Sequence, residues 1–121
     1  MDTNNPVIKL CQQGAEDEYL NKKENACKKY VQAWDIAQSD FEHCIAAHYV
    51  ARCQQTPRDE LDWNLKALEF AQKCDEETVM PFWGSLYVNI GYSYEKLGHL
   101  EKAKPFYQLA AQHGIIHKPE E

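Results

Sequence analysis

Glycine and alanine recur along this chain at a spacing that forces helices into close pairs. Gly91 is followed by Ala103, Tyr107 and Ala110, and Gly14 is followed at the same intervals by Ala26, Tyr30 and Ala33. A residue without a Cβ lets a facing helix come near, and alanine opposite it allows the same from the other side. Tyr87 and Tyr94 flank Gly91 at helical spacing and fill the space between neighbouring helices. Leu97-Gly98 then ends the first helix, because glycine takes the left-handed conformation that stops one. The pattern predicts helix, tight turn, helix, used more than once.

A third and weaker copy lies between these two. Over residues 41–74, Cys44, Ala47, Ala51 and Ala67 fit, but His48 stands where glycine is expected and Glu60 where alanine is expected. A turn one or two residues longer would instead put Ala47 in the small position and Leu61, Leu65 and Leu68 on the inner stripe; both registers stay open. Gln13 and Asp17 likewise depart from the pattern in the first copy. The first and second copies are 34 residues apart and the second and third 43, which leaves an insertion over about 75–83. Thr56-Pro57 followed by Asp59 and Glu60 predicts a helix start: a hydroxyl acceptor, a proline in the first turn, then acids near the positive end. Pro81 is expected to begin the next helix or its cap, and Pro105 to kink the last helix or shorten its start. Six helices are predicted, over about 4–19, 22–39, 41–54, 57–74, 81–97 and 99–113.

The run from Gly84 to Gln112, with Tyr87, Ile90, Gly91, Tyr94, Leu97-Gly98, Ala103, Tyr107 and Ala110 in place, resembles the tetratricopeptide repeat. The resemblance implies an all-α chain, a right-handed α-solenoid of three antiparallel helix pairs forming one domain over 1–121, with repeats at about 7–40, 41–74 and 84–117. The stretches 48–57 and 61–68 are also similar to small free-standing bacterial tetratricopeptide proteins with no assigned biochemical role.

For function, the resemblance implies a module that binds another protein. The first helix of each pair lines the concave side in that family. The corresponding residues are Cys11, Gln12, Ala15, Glu18 and Tyr19, then Glu42, Ile45, Tyr49, Arg52 and Cys53, then Asn89, Tyr92, Glu95 and Lys96. Tyr19, Tyr49, Arg52, Asn89, Tyr92 and Lys96 are the expected partner contacts, since tyrosine and arginine join a large apolar body to polar tips. Packing against neighbouring helices is the competing role for Tyr49 and Tyr92. The members that hold a chaperone's terminal carboxylate need Lys and Asn where this chain has Cys11 and Ala15, Asn where it has Ala46, and basic residues where it has Ser85 and Asn89, so that subtype is not expected. The alternative is a structural, self-associating protein, a homodimer formed through a last helix that exposes Phe106 or Leu109 beside Ile115 and Ile116.

Charge and composition narrow the rest. The net charge of −6 falls as −2 over 1–40, −4 over 41–80 and 0 over 81–121. Lys22, Lys23, Lys28 and Lys29 form one basic cluster, diluted by Glu16, Asp17, Glu18 and Glu24, so nucleic acid is not an expected partner. No stretch nears the about 20 apolar residues a membrane span requires, and Met1 to Leu10 lacks the pattern of a secretory signal. The five cysteines, odd in number and without a CxxC pair, predict reduced thiols in a cytoplasmic protein. His113 and His117 share a helical spacing but have no Glu between them and straddle Gly114, and His43 and His48 fall on different faces, so no metal is expected. No cofactor fingerprint is present, and a Cys–His pair lacks an orienting group and an oxyanion site, so no enzyme activity is expected.

Overall fold

The computed structural model describes residues 4–115. Six long helices account for most of them: α1 (Pro6–Tyr19), α2 (Lys23–Ile36), α3 (Asp40–Ala51), α4 (Pro57–Ala71), α6 (Trp83–Lys96) and α7 (Leu100–Gln112). A single turn, α5 (Glu76–Val79), and a 3-10 turn (Met80–Phe82) lead from α4 into α6. Each predicted helix is present, with ends shifted by up to three residues. There is no strand among the described residues. No helix there is long and apolar enough to cross a membrane.

The helices pack as consecutive pairs, α1 on α2, α3 on α4 and α6 on α7, with α1 and α2 against α3 and α4 against α6. Tight turns close the outer two pairs in the same way. At Asn21 (φ 62) and at Gly98 (φ +81) the chain turns left-handed, and that residue's own amide and the next one cap the last carbonyls of the first helix. Asparagine tolerates this conformation because its side chain is short and polar. Gly114 (φ +88) ends α7 likewise, with Ile115 N–H bonded to the Ala110 carbonyl. Other helix ends use side chains. Thr56 Oγ1 accepts from Asp59 N–H at 3.1 Å, Asn5 caps α1, and Ser39 with Glu42 forms a reciprocal capping box on α3.

Inside the outer pairs the spacing of small and aromatic residues has one outcome. The Tyr30 ring lies over Gly14 and the Tyr107 ring over Gly91; a Cβ added at Gly91 would sit 2.7 Å from Tyr107 Cε1. Each hydroxyl then donates to a glutamate one turn after the glycine, Tyr30 to Glu18 and Tyr107 to Glu95. Ala26, Ala33, Ala103 and Ala110 are fully buried beside these rings. Trp34 ties the first two pairs together, edge-on to Trp63 at 5.1 Å and to His43 at 4.8 Å. The linker contributes too: Val79 is fully buried and Phe82 packs against Phe41 at 5.7 Å.

Several expectations need correction. Cys27 and Cys53 are joined by a disulfide, so only Cys11, Cys44 and Cys74 are thiols. Pro105 does not shorten α7, which already runs from Leu100. Pro81 lies in the 3-10 turn and not at the start of α6. In the middle pair, Ala47 is buried with Cys44, Ala67 and Ala71, and α4 buries Leu61 and Asn64, whereas Leu65 and Leu68 are half-buried. Its turn is longer, spanning 52–56 where the others span 20–22 and 97–99. Phe106 and Leu109 are half-buried, and Phe106 stacks on Tyr94 at 5.7 Å. Ile116 and His117 lie outside the described residues.

Overpacking the Gly91–Tyr107 crossing should be costly. Gly91→Leu is expected to destabilise the chain by about 1–3 kcal/mol or more, read as a lower urea midpoint. A variant that melts like the wild type would show that this crossing is not tight.

Candidate functional site

The middle pair lacks the glycine–tyrosine contact of its neighbours. Counting 34 residues on from Gly14, Glu18, Ala26 and Tyr30 gives His48, Arg52, Glu60 and Asn64; 43 further on stand Gly91, Glu95, Ala103 and Tyr107. All four substitutes are polar or charged, and all four line a single polar cavity of about 420 Å³. Its other walls are Glu18 and Lys23 from the first pair, Ala51 and Gln54 of α3 and the turn after it, and Asn89, Tyr92 and Lys96 from α6. The room that a tyrosine ring takes up in the outer pairs is left open here, and it opens on the side where α1, α3 and α6 meet.

The charges of the cavity are set by pairing between helix pairs. Arg52 donates to both oxygens of Glu18, Nε at 2.9 Å and Nη2 at 3.0 Å. That fork, ahead of the cost of burial and with the Tyr30 hydroxyl adding to it, holds the Glu18 carboxyl below its usual range. Lys96 Nζ lies 2.8 and 2.7 Å from the two oxygens of Glu60 and 4.6 Å above the Tyr92 ring. Below these pairs Asn64, only 3% exposed, donates to Ser93 Oγ at 3.1 Å. The Ser93 hydroxyl has one proton to give, and the Asn89 carbonyl at 3.0 Å and Glu60 Oε1 at 3.3 Å both stand ready to accept it.

His48 forms the boundary with a second, apolar cavity of about 180 Å³, lined also by Cys44, Ile45, Tyr49, Phe82, Ser85 and Leu86. Burial, with a smaller push from the Arg52 charge, lowers its pKa from 6.5 to about 4. The ring is therefore neutral at pH 7. Asn89 Nδ2 lies 3.4 Å from Nδ1, and with that nitrogen accepting, the proton of the ring sits on Nε2. Cys44 faces the same cavity one turn before His48. Burial pushes its thiol up to about 12, the reverse of what an activated thiolate–imidazolium pair requires. An apolar cavity thus lies beside a polar one lined by paired donors and acceptors.

Of the residues expected to contact a partner, Arg52, Asn89, Tyr92 and Lys96 line the polar cavity and Tyr49 lines the apolar one. Tyr49 also packs on Tyr30, with ring centroids 5.1 Å apart. Tyr19 is 87% exposed and lines neither cavity. Cys53 is held in the disulfide, and Glu42 caps α3 and binds Asn5 Nδ2 at 2.8 Å, so neither offers a contact. His48, Glu60, Asn64, Lys23, Gln54 and Phe82 were not anticipated as site residues. The signal for the first two was present as a misfit, a histidine in a glycine position and a glutamate in an alanine position. No group of three or more His, Cys, Asp or Glu converges to hold a metal among the described residues.

Comparison of the chain with protein-family models, with curated proteins and with solved structures finds no match to any of them.

The depressed pKa of His48 makes a pH prediction. Between pH 6.5 and about 4 the unfolded chain binds a proton that the folded chain refuses, so stability falls as pH drops through that window. Relative to a His48→Gln variant, the wild type should lose extra stability from pH 6.5 to 4, measured by urea unfolding at each pH. Parallel profiles would mean that His48 is not held neutral.

Proposed function

We propose that this chain is a tetratricopeptide-like interaction module that grips a segment of another protein across the face formed by α1, α3 and α6, the concave side of a short solenoid. The observation that carries the reading is the paired cavity opened by the middle helix pair. An apolar cavity of about 150 Å³ is large enough for a benzene ring, so the one bounded by Cys44, Ile45, Phe82 and Leu86 suits one aliphatic or aromatic side chain of the partner. The adjoining polar cavity suits the backbone or a polar side chain next to it, with Asn89, Gln54 and the Arg52–Glu18 and Lys96–Glu60 pairs supplying donors and acceptors. Tyrosine and arginine are among the residues that concentrate binding energy at interfaces, and Tyr49 lines the apolar cavity and Arg52 and Tyr92 the polar one. The module is not an enzyme in this reading. The cytoplasmic location inferred from reduced cysteines now rests on Cys11, Cys44 and Cys74 alone.

Self-association through α7 is the weaker reading. Ile115 already packs over Gly84, where an added Cβ would meet it at 2.7 Å, and this uses part of the surface a second copy would need.

Restoring the missing contact tests the proposal. His48→Gly with Asn64→Tyr should fill the polar cavity as Tyr30 and Tyr107 fill theirs, and leave a folded helical chain by circular dichroism. Affinity capture from native lysate, read by mass spectrometry, should retain a protein on the wild type and lose it, by about tenfold or more, on the filled variant. Equal retention on both baits would remove this face as the working surface. Baits that retain only their own chain would favour self-association.

A further inference from the structure

The disulfide takes no part in the proposed groove contacts, yet it links two walls of the polar cavity. Cys27 lies one turn after Lys23 on α2, and Cys53 directly follows Arg52; Lys23 and Arg52 both line that cavity. The two Cα atoms are 5.8 Å apart, within the span a disulfide bridges without moving backbone. Both cysteines are half-buried, and Cys27 also opens onto a shallow depression on the outer face of α2, between Glu24, Lys28, Val31 and Gln32. A small thiol can reach the bond from that side. The remaining cysteines differ. Burial raises the Cys11 and Cys44 thiols to about 12 and also raises that of Cys74, so none of the three is activated as a thiolate.

The segment that the disulfide anchors has few other ties. The turn after α3 is held by its own short-range bonds, Arg52 N–H to Tyr49, Cys53 N–H to Val50 and Gln54 N–H to Ala51. Its long-range links are the Arg52–Glu18 fork, the Cys27–Cys53 bond and the packing of Cys53 against the cluster of Ala26, Tyr30 and Val50. The outer pairs close with a left-handed residue and a three-residue turn, but this turn spans five residues and contains no positive φ. Arg52 itself has about half of its side chain exposed. The covalent tie is therefore one of the few links that hold this edge of the cavity to the first pair.

We propose that Cys27 and Cys53 form a reversible thiol–disulfide exchange site that fixes Arg52 and the 52–56 turn at the mouth of the polar cavity. The reductant is a low-molecular-weight thiol. Its thiolate attacks one sulfur and displaces the other as a thiolate, which takes up a proton. A second small thiolate attacks the mixed disulfide, releases the small disulfide and leaves the second protein thiol. Two electrons pass from two small thiols to the protein bond, and the oxidised small-molecule disulfide reverses the sequence. Reduction releases the turn and loosens the Arg52–Glu18 wall, so the cavity is shaped in the oxidised form and slack in the reduced one. This goes beyond the binding reading and does not depend on any partner.

The test uses the whole chain, equilibrated without denaturant in buffers from oxidised to reduced glutathione. Free thiols are then trapped by alkylation and located by peptide mass spectrometry. Cys27 and Cys53 should be blocked as a pair in the oxidising buffers and alkylated together in the reducing ones, while circular dichroism stays unchanged. Hydrogen exchange on the same samples should show amides of 52–56 exchanging about tenfold faster after reduction, with α6 and α7 unaffected. A Cys27→Ser, Cys53→Ser variant should show the fast pattern in every buffer. Three results would each overturn the proposal: no bond under oxidising conditions, a bond reduced only after unfolding, or exchange at 52–56 that ignores the redox state. None of these readouts involves a ligand, so failure here leaves the binding reading to its own experiment.

Discussion

The packing of a tyrosine ring over a bare glycine backbone organises both ends of this molecule. The ring can settle only because no Cβ stands beneath it at Gly14 and Gly91. Once settled, its hydroxyl reaches a glutamate on the first helix, which satisfies a polar group that would be expensive to bury alone. For Tyr30 this also raises the phenol's pKa, first through burial and then through the Glu18 carboxylate, so the hydroxyl stays a donor. Close approach, ring burial and hydrogen bond are thus one unit, and the same unit sets the crossing of α1 with α2 and of α6 with α7.

The middle pair gives up that unit and gains a cavity. With Asn64 in place of a tyrosine and His48 in place of a glycine, bulk moves from the second helix to the first and part of the space stays open. The other two exchanges turn inward-facing neutral or acidic positions into links between pairs. Arg52 reaches back to Glu18, and Glu60 reaches forward to Lys96. Exposed ion pairs contribute little to stability. Glu18 and Glu60, however, keep only 17% and 22% of their side-chain surface, and the Arg52 fork is bidentate, so these pairs fix geometry at the rim. The cavity is held in shape by contacts that the outer pairs do not make.

Much of the fold was legible in the chain because helix pairing is written in local terms. Gly98 had to take a left-handed turn, Thr56 had to cap α4, and the glycine–alanine–tyrosine spacing had to bring two helices together; each holds. Asn21 closes the first pair as Gly98 closes the last, but asparagine is a weaker turn signal and was passed over. The site was less legible. Arg52, Asn89, Tyr92 and Lys96, which the resemblance to the tetratricopeptide repeat put on the concave side, do line the polar cavity. Glu60 and Asn64 come from the second helix of their pair, which the period assigns elsewhere. They reach the cavity only because nothing larger fills it. Tyr19 shows the converse: the resemblance put it on the concave side, but at the last position of α1 it projects to solvent.

By itself the sequence determined the helices, their ends and their pairing, since these depend on residues within a few turns of one another. It also contained the departures of the middle pair from the repeat, at His48, Arg52, Glu60 and Asn64, without saying what they do. Only the tertiary structure decided that Cys27 meets Cys53, that Glu18 meets Arg52 and that Lys96 meets Glu60, because each bond joins residues 26 or more positions apart. Such meetings follow from how the pairs stack, and stacking depends on the volume of every side chain between them. The cavity is the plainest case. It is the room left by a ring the middle pair does not have, so it exists only once the helices that surround it are in place.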